Sequence, residues 1–257
     1  MIDLHCHILP GIDDGPEELV ESLEMARRHV AAGVDTVIAT PHVSWDHRNT
    51  AEGIAEATAR LQRALDVEQI PLRVLAGAEV ALTRAVELPH EELQALTLGG
   101  GPWLLLEAPI ALDAPGTDAL VEVVRDHGVE VLLAHPERCA SFHSDPELLA
   151  RLVDAGCTAQ VTAGALVGSF GRTVQALARR FVEQGHVHVV ASDAHDPERR
   201  APGLLEPLVA GGYGELAQWM TADVPRALLV GGEVPERPLP AGEPRGARRG
   251  LLRRRRG

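Results

Sequence analysis

Residues 2–7 read IDLHCH and residues 189–195 read VVASDAH. Each is a short apolar run that ends in metal-competent side chains: His5 and His7 in the first, Asp193 and His195 in the second. The pattern recurs between them. His42 ends VIATPH, Glu79 ends VLAGAE, Glu107 lies in WLLLEA and His135 in VLLAHP, while Asp14 occupies the loop GIDDG. In a barrel of repeated βα units a strand is such a run, and its carboxyl end opens onto the active-site face. Imidazoles and carboxylates delivered there by many strands converge on one spot. The reading is a multinuclear metal site in a metal-dependent hydrolase.

Between the runs lie segments with helical periodicity. Strands are expected at Ile2–His7, Thr36–Thr40, Leu72–Ala78, Trp103–Glu107, Glu130–Ala134, Thr158–Thr162 and His188–Ser192. Helices are expected at Glu17–Ala32, Ala51–Val67, Asp118–His127, Pro146–Ala155 and Val174–Gln184, with short ones over 203–211 and 215–230. About seven strands alternating with helices imply an α/β fold with a parallel sheet, closed rather than open because the ligands are spread so widely.

Composition narrows the chemistry. The chain of 257 residues has no lysine, which removes Schiff-base catalysis, a P-loop lysine and a carbamylated-lysine bridge. The three cysteines, Cys6, Cys139 and Cys157, are too scattered for a disulfide framework. No C-x5-R loop offers a cysteine nucleophile, and no Ser-His-Asp set is evident, so water is the expected nucleophile. A net charge of −13 argues against nucleic acid as a partner. No secretory leader and no run of about 20 apolar residues is read, so a cytoplasmic protein is expected.

Residues 1–231 read as one domain and 232–257 as a disordered Pro/Gly/Arg-rich tail, since residues 236–257 hold eight Arg against two acids. Its four-Arg run suits weak contact with an anionic membrane, against the plainer reading of a solvated tail. Oligomerisation is left open.

Spacing sharpens the roles. His5 and His7 are i and i+2 on a strand, so both face one side and Cys6 faces the other, into packing. Asp3 is expected to orient one of those imidazoles. Asp14 is preferred as a ligand over Asp13; either might instead cap the next helix. Glu79 and Glu107 end apolar runs, where a carboxylate is costly without a cation or an ion pair, such as Glu79 with Arg84. Arg138 in HPER and Arg200 after SDAH form a pair suited to phosphate oxygens. His29, His127 and His186 read as surface groups. His47, His90 and His143 read as loop residues near the cleft, and His188 as structural. Oxygen and imidazole ligands without thiolate suit Mn, Fe or Zn.

Taken together, DLHCHILPGIDDG, ATPH, GAE, LLLE, AHPER and SDAH followed by Arg200-Ala201-Pro202 resemble the PHP (polymerase and histidinol phosphatase) superfamily. More narrowly they resemble the bacterial manganese-dependent protein-tyrosine phosphatases of capsule and exopolysaccharide operons. The resemblance spans roughly residues 1–230. It implies a distorted, TIM-like (β/α)7 barrel, the PHP fold, with three Mn2+ ions held by His5, His7, Asp14, His42, Glu79, Glu107, His135, Asp193 and His195. It implies Arg138 and Arg200 as phosphate-binding residues, with His42 or Asp14 assisting catalysis. The implied substrate is phosphotyrosine in a tyrosine autokinase that controls polysaccharide export, hydrolysed by a metal-activated hydroxide. The rival readings are a small-molecule phosphomonoesterase such as histidinol phosphatase, and a non-catalytic metal-containing module that docks a kinase.

Overall fold

The computed structural model describes residues 1–238. Nine short strands follow in order: β1 Ile2–Cys6, β2 Thr36–Ala39, β3 His42–Val43, β4 Arg73–Ala76, β5 Glu79–Ala81, β6 Trp103–Glu107, β7 Glu130–Ala134, β8 Thr158–Thr162 and β9 Val189–Ala191. They form two parallel sheets, β1-β2-β4 and β3-β5-β6-β7-β8-β9. Helices lie between successive strands except from β2 to β3 and from β4 to β5, and the fold is α/β.

Two of the expected strands are broken where the sheets part. The second run is interrupted at Thr40-Pro41, because Pro41 has no N–H to give a ladder. The third is interrupted at Gly77-Ala78, so the strand expected over Leu72–Ala78 becomes β4 and β5. A Cβ on Gly77 would lie 2.8 Å from Ile38 Cγ2 and 3.0 Å from Leu98 Cδ2, so only glycine lets the chain pass there. After the breaks, β3 pairs with β5 and sets His42 beside Glu79 in register. β1 in turn meets the segment after β9: Asp193 N donates to His5 O and His7 N to Ala194 O, both at 2.9 Å.

Local chemistry sets the helices. Leu19–Ala31 starts with a capping box between Glu18 and Glu21, so neither Asp13 nor Asp14 caps it. Ala51–Val67 starts with Thr50, whose hydroxyl accepts from Gly53 N at 3.2 Å. Arg172–Gln184 ends on Gly185 at φ 82°, a left-handed cap. Each turns an apolar face to the sheets, with Met25 and Ala26, Ile54, Leu61 and Leu65, and Phe181 and Val182 fully or nearly buried. Full burial of such side chains is worth about 1.5–3 kcal/mol each. Among the described residues no helix is long and apolar enough to cross a membrane.

The helix expected over 215–230 is instead a 3-10 turn Gly214–Leu216, a π-helical stretch Trp219–Asp223 and a helix Val224–Leu229. The buried Trp219 ring donates from Nε1 to Pro235 O at 3.0 Å. Arg237 donates to Val182 O at 2.7 Å. The first residues of the expected tail therefore lie against the body; the Arg-rich part beyond 238 is outside the described residues.

Candidate metal centre

All nine residues singled out in the strand ends gather at one place. Their ligand atoms form four overlapping groups: His7, Asp14, His42 and His195; His5, His7 and Asp193; His5, Glu79 and His135; His42, Glu79 and Glu107. β1 brings His5 and His7, whose Nε2 atoms face each other at 3.2 Å. Glu79 at the head of β5 lies at the centre. Its Oε2 is 3.2 Å from His5 Nε2, 3.3 Å from His7 Nε2 and 3.1 Å from His42 Nδ1. Its Oε1 is 2.7 Å from His135 Nε2, which is also 3.6 Å from Glu107 Oε1. Asp14 reaches in from its loop, 3.4 Å from His42 Nε2 and 3.3 Å from His195 Nε2. Glu79 pairs with these imidazoles and not with Arg84.

The donor set fits cations. Glu79 Oε2, Asp193 Oδ1 and His195 Nε2 are buried and make no hydrogen bond. Unpartnered oxygen and imidazole lone pairs pointing at common points, with no thiolate among them, are the surroundings of Mn, Fe or Zn. Left unpaired, each such group would cost free energy.

The same crowding sets the protonation. Burial alone would favour neutral His7, but its bond to Asp13 and the charge of Glu79 beside it prevail and carry it up to about 10. Burial would raise Glu79, yet His5 and His135 hold it well below the usual carboxylate range. Burial, helped by repulsion from Glu79, pushes Glu107 up to about 8. Two acids this close resist joint ionisation unless a positive charge lies between them.

The backbone is bent to the task. His135 and Asp193 have φ of 29° and 51°, in the left-handed region. Such conformations cost about 1–3 kcal/mol each and persist where surrounding contacts impose them. Gly15 is a tight passage as well, since a Cβ there would strike the His7 carbonyl oxygen.

Asp193 joins the ligand groups to the arginines. Its Oδ1 faces His5 at 3.4 Å and His7 at 3.6 Å. Its Oδ2 is bracketed by Arg138 Nη1 and by Arg200 Nη2, the latter at 2.6 Å. Burial opposes ionisation of Asp193, but His5, His135 and Arg200 keep it strongly acidic. The Arg138 guanidinium also lies 4.7 Å from the Phe170 ring centroid. Asp196 accepts from the backbone N–H of Glu198, Arg199 and Arg200, which curls the loop so that Arg200 returns beside Asp193.

Three expectations need correction. Asp3 does not orient an imidazole of the site. A register irregularity in β1 between Asp3 and Cys6 turns Asp3 away; its Oδ1 accepts from Ser192 N and His5 N at 3.1 and 3.3 Å. His29 is not a surface group but fully buried, with Nε2 3.4 Å from Cys6 Sγ and Nδ1 3.8 Å from Asp3 Oδ2. His90 lies away from the site, on the carbonyl of His127. His47 does stack on His42, with ring centroids 5.6 Å apart.

Two supporting residues escaped the reading. Asp13 Oδ2 bonds His7 Nδ1 at 2.7 Å and accepts from His42 N at 3.0 Å, so it orients His7 and anchors His42. The doubled acid in GIDDG was the available signal, divided between ligand and support. Gln160 on β8 meets His5 Nδ1 at 3.0 Å through Oε1, and nothing in TAQVT marked it.

Comparison with known proteins gives the site a context. The family model for capsular polysaccharide synthesis proteins, CpsB/CapC, matches residues 1–217. The tyrosine-protein phosphatase YwqE of Bacillus subtilis is 39% identical over 201 residues, 78% of this chain and 79% of the relative. The tyrosine-protein phosphatase CpsB of Streptococcus pneumoniae is 27% identical over 239 residues, 90% of this chain and 98% of the relative. A chain from the crystal structures of YwqE and CpsB, metal-dependent tyrosine phosphatases, superimposes with a TM-score of 0.82 at 34% identity, covering 91% of this chain and 96% of its own. A lactonase of Listeria monocytogenes shares the fold alone, with a TM-score of 0.54 at 10% identity.

Proposed function

Because the chain belongs to the CpsB/CapC family of capsular polysaccharide synthesis proteins, we propose that it is a metal-dependent protein-tyrosine phosphatase. The observation that carries the reading is the set of four overlapping ligand groups joined through Asp193 to two guanidiniums. On this reading the seven strand runs, with β2 continued by β3 and β4 by β5, make one distorted (β/α)7 barrel. The hydrogen bonds between β1 and the segment after β9 support that closure.

His5, His7, Asp14, His42, Glu79, Glu107, His135, Asp193 and His195 would hold three divalent cations, Mn2+ by preference. Glu79, whose two oxygens face different imidazoles, would hold cations from the centre of this set. When bound, such ions acidify water and offset charge on a phosphoryl group. The protein supplies the remainder. Asp193 keeps Arg138 and Arg200 side by side, and Phe170 backs the first of them. Guanidinium forks suit that task. Asp13 and Gln160 fix the tautomers and planes of His7 and His5. His42 and Asp14, the more exposed members, face the entering substrate. Phenolate, with a pKa of about 10, leaves without a strong acid. The substrate we assign is phosphotyrosine on a cytoplasmic tyrosine autokinase of polysaccharide export.

The test is metal analysis coupled to a phosphotyrosine-peptide assay with added Mn2+, with histidinol phosphate alongside. Chelation should cost several kcal/mol of transition-state stabilisation, about a thousandfold in rate. Restored turnover of the peptide over histidinol phosphate is the expected result. Preference for histidinol phosphate would make the chain a small-molecule phosphatase, and a metal-replete protein inert to both would end the enzymatic reading.

A further inference from the structure

Trp45 is 47% exposed, whereas the other two tryptophans, Trp103 and Trp219, are 7% and 4% exposed. It stands on a tight hairpin that grows out of His42. Val43 bridges antiparallel to Arg48, Ser44 N donates to His47 O at 2.9 Å, and Ser44 Oγ accepts from Asp46 N and His47 N. Asn49 Nδ2 donates to His42 O at 2.9 Å and to Ile12 O at 3.0 Å. The hairpin is therefore tied both to His42 and to the loop of Asp13 and Asp14, which makes its tip part of the site's rim.

Two guanidiniums attend that indole. Arg84 lies 5.0 Å and Arg48 5.9 Å from the ring centroid. Arg84 belongs to the turn Leu82–Ala85 directly after β5, the strand headed by Glu79. Among the described residues neither arginine meets a carboxylate at ion-pair distance, not even the exposed Asp46 of the same turn. Arg48 Nε donates to Trp45 O at 3.4 Å, but exposed cation–π contacts are weak, too weak to account for an uncovered indole and two guanidiniums without a carboxylate in a chain of net charge −13. Fixed guanidiniums on an aromatic platform are an arrangement for gripping an anion that arrives with apolar surface.

We propose that Trp45, Arg48 and Arg84 form a substrate subsite that takes an acidic residue flanking the phosphotyrosine. The indole covers the stem of that residue and the two guanidiniums bind its carboxylate. The proposal rests on the phosphotyrosine reading. It predicts a preference among peptides that small aryl phosphates, too short to reach the hairpin, do not share.

The experiment uses the full, Mn2+-loaded chain with p-nitrophenyl phosphate and phosphotyrosine peptides flanked by Glu, Ala or Arg. Wild type should favour the Glu peptide. The Arg48→Gln/Arg84→Gln variant should lose about tenfold in kcat/KM on it, carried by KM, the scale of a charge-assisted contact, with p-nitrophenyl phosphate unchanged. Equal rates on the Glu and Ala peptides, a preference for Arg, or an equal loss on every substrate would overturn the subsite. Binding is read separately from hydrolysis, by tryptophan fluorescence on adding peptides with a non-hydrolysable phosphonate in place of the phosphate. A signal favouring the Glu peptide, and lost in Trp45→Phe, upholds the subsite even where nothing is hydrolysed, in which case the phosphatase reading falls alone. No fluorescence preference for the Glu peptide sinks the subsite, whatever the turnover.

Discussion

At the carboxyl ends of the strands, five imidazoles and five carboxylates crowd together: His5, His7, His42, His135 and His195 with Asp13, Asp14, Glu79, Glu107 and Asp193. At the amino ends, β1, β6 and β9 begin with the buried apolar residues Ile2, Trp103 and Val189, and β4 and β7 with the exposed Arg73 and Glu130. Near that end His188, just before β9, meets no acid among the described residues; its neighbours are His186, Arg237 and the Trp219 ring at 6.2 Å. Burial acts alike at both ends, taking His42 in the cluster down to about 4 as it does His188, and only the neighbours make the difference. His188 falls to about 4 and stays neutral. At the other end His7 is carried up to about 10 and Glu79 is held ionised. A lone buried base sheds its charge, while in a cluster of both signs the groups with a close opposite partner, such as His7 and Glu79, keep theirs. The second arrangement attracts cations and anions, and two of the three non-glycine residues with left-handed backbones among the described residues, His135 and Asp193, lie in it.

The largest break in that contrast comes from Arg138. Arg138→Ala should lower turnover of a phosphotyrosine peptide by about 10²–10³, the usual cost of removing one donor to a transition-state oxyanion. Metal content, measured by elemental analysis, should be unchanged, because Arg200 still holds Asp193 Oδ2. Undiminished turnover would take Arg138 out of the mechanism. A smaller effect is expected one layer back. Asp13→Asn keeps the shape of the loop but removes the charge that fixes His7 and weakens the anchor on His42 N. Supporting groups of this kind typically carry 10–100-fold in metal affinity, so Mn2+ titrations should shift by that much. An unshifted titration would leave Asp13 as a loop residue only.

The contrast also explains what could be read from the chain. Trp103–Glu107, Glu130–Ala134, Thr158–Thr162 and helix Ala51–Val67 fall where their patterns put them. A buried run bounded by turn residues is local information, and so is a charged residue at its end. The break at Gly77-Ala78 is not local; it arises where one sheet hands over to the other and from contact with Ile38 and Leu98, whereas Pro41 marks the other break in the sequence itself. His29 was misjudged for a related reason. Its place near a helix end suggests solvent, but Cys6 and Asp3 close over it from β1. Gln160 was illegible because a neutral amide on a strand becomes functional only once His5 lies across from it. First contacts to a cation need unusual residue types and so announce themselves. Groups that orient those contacts need only a hydrogen bond, which ordinary residues supply.

His188 offers the smallest and cleanest test of the other end. Its Nδ1 accepts from Ala159 N at 3.3 Å, which requires the neutral ring. Its folded pKa of about 4 lies below the ordinary 6.5. The folded state therefore binds fewer protons than the unfolded chain between those values. The stability tied to this ring is fully present above pH 6.5 and drains away as pH falls toward 4; with the ring partly exposed the loss is about 2 kcal/mol at most. In His188→Asn the amide oxygen can replace Nδ1 as acceptor but does not titrate. Urea-unfolding midpoints at pH 7.5 and pH 5 should then differ less in the variant than in wild type, by an amount that acids elsewhere cannot mimic because both proteins share them. Parallel slopes would mean that His188 takes up its proton without cost, and the contrast between a lone buried base and the mixed-charge cluster would fall.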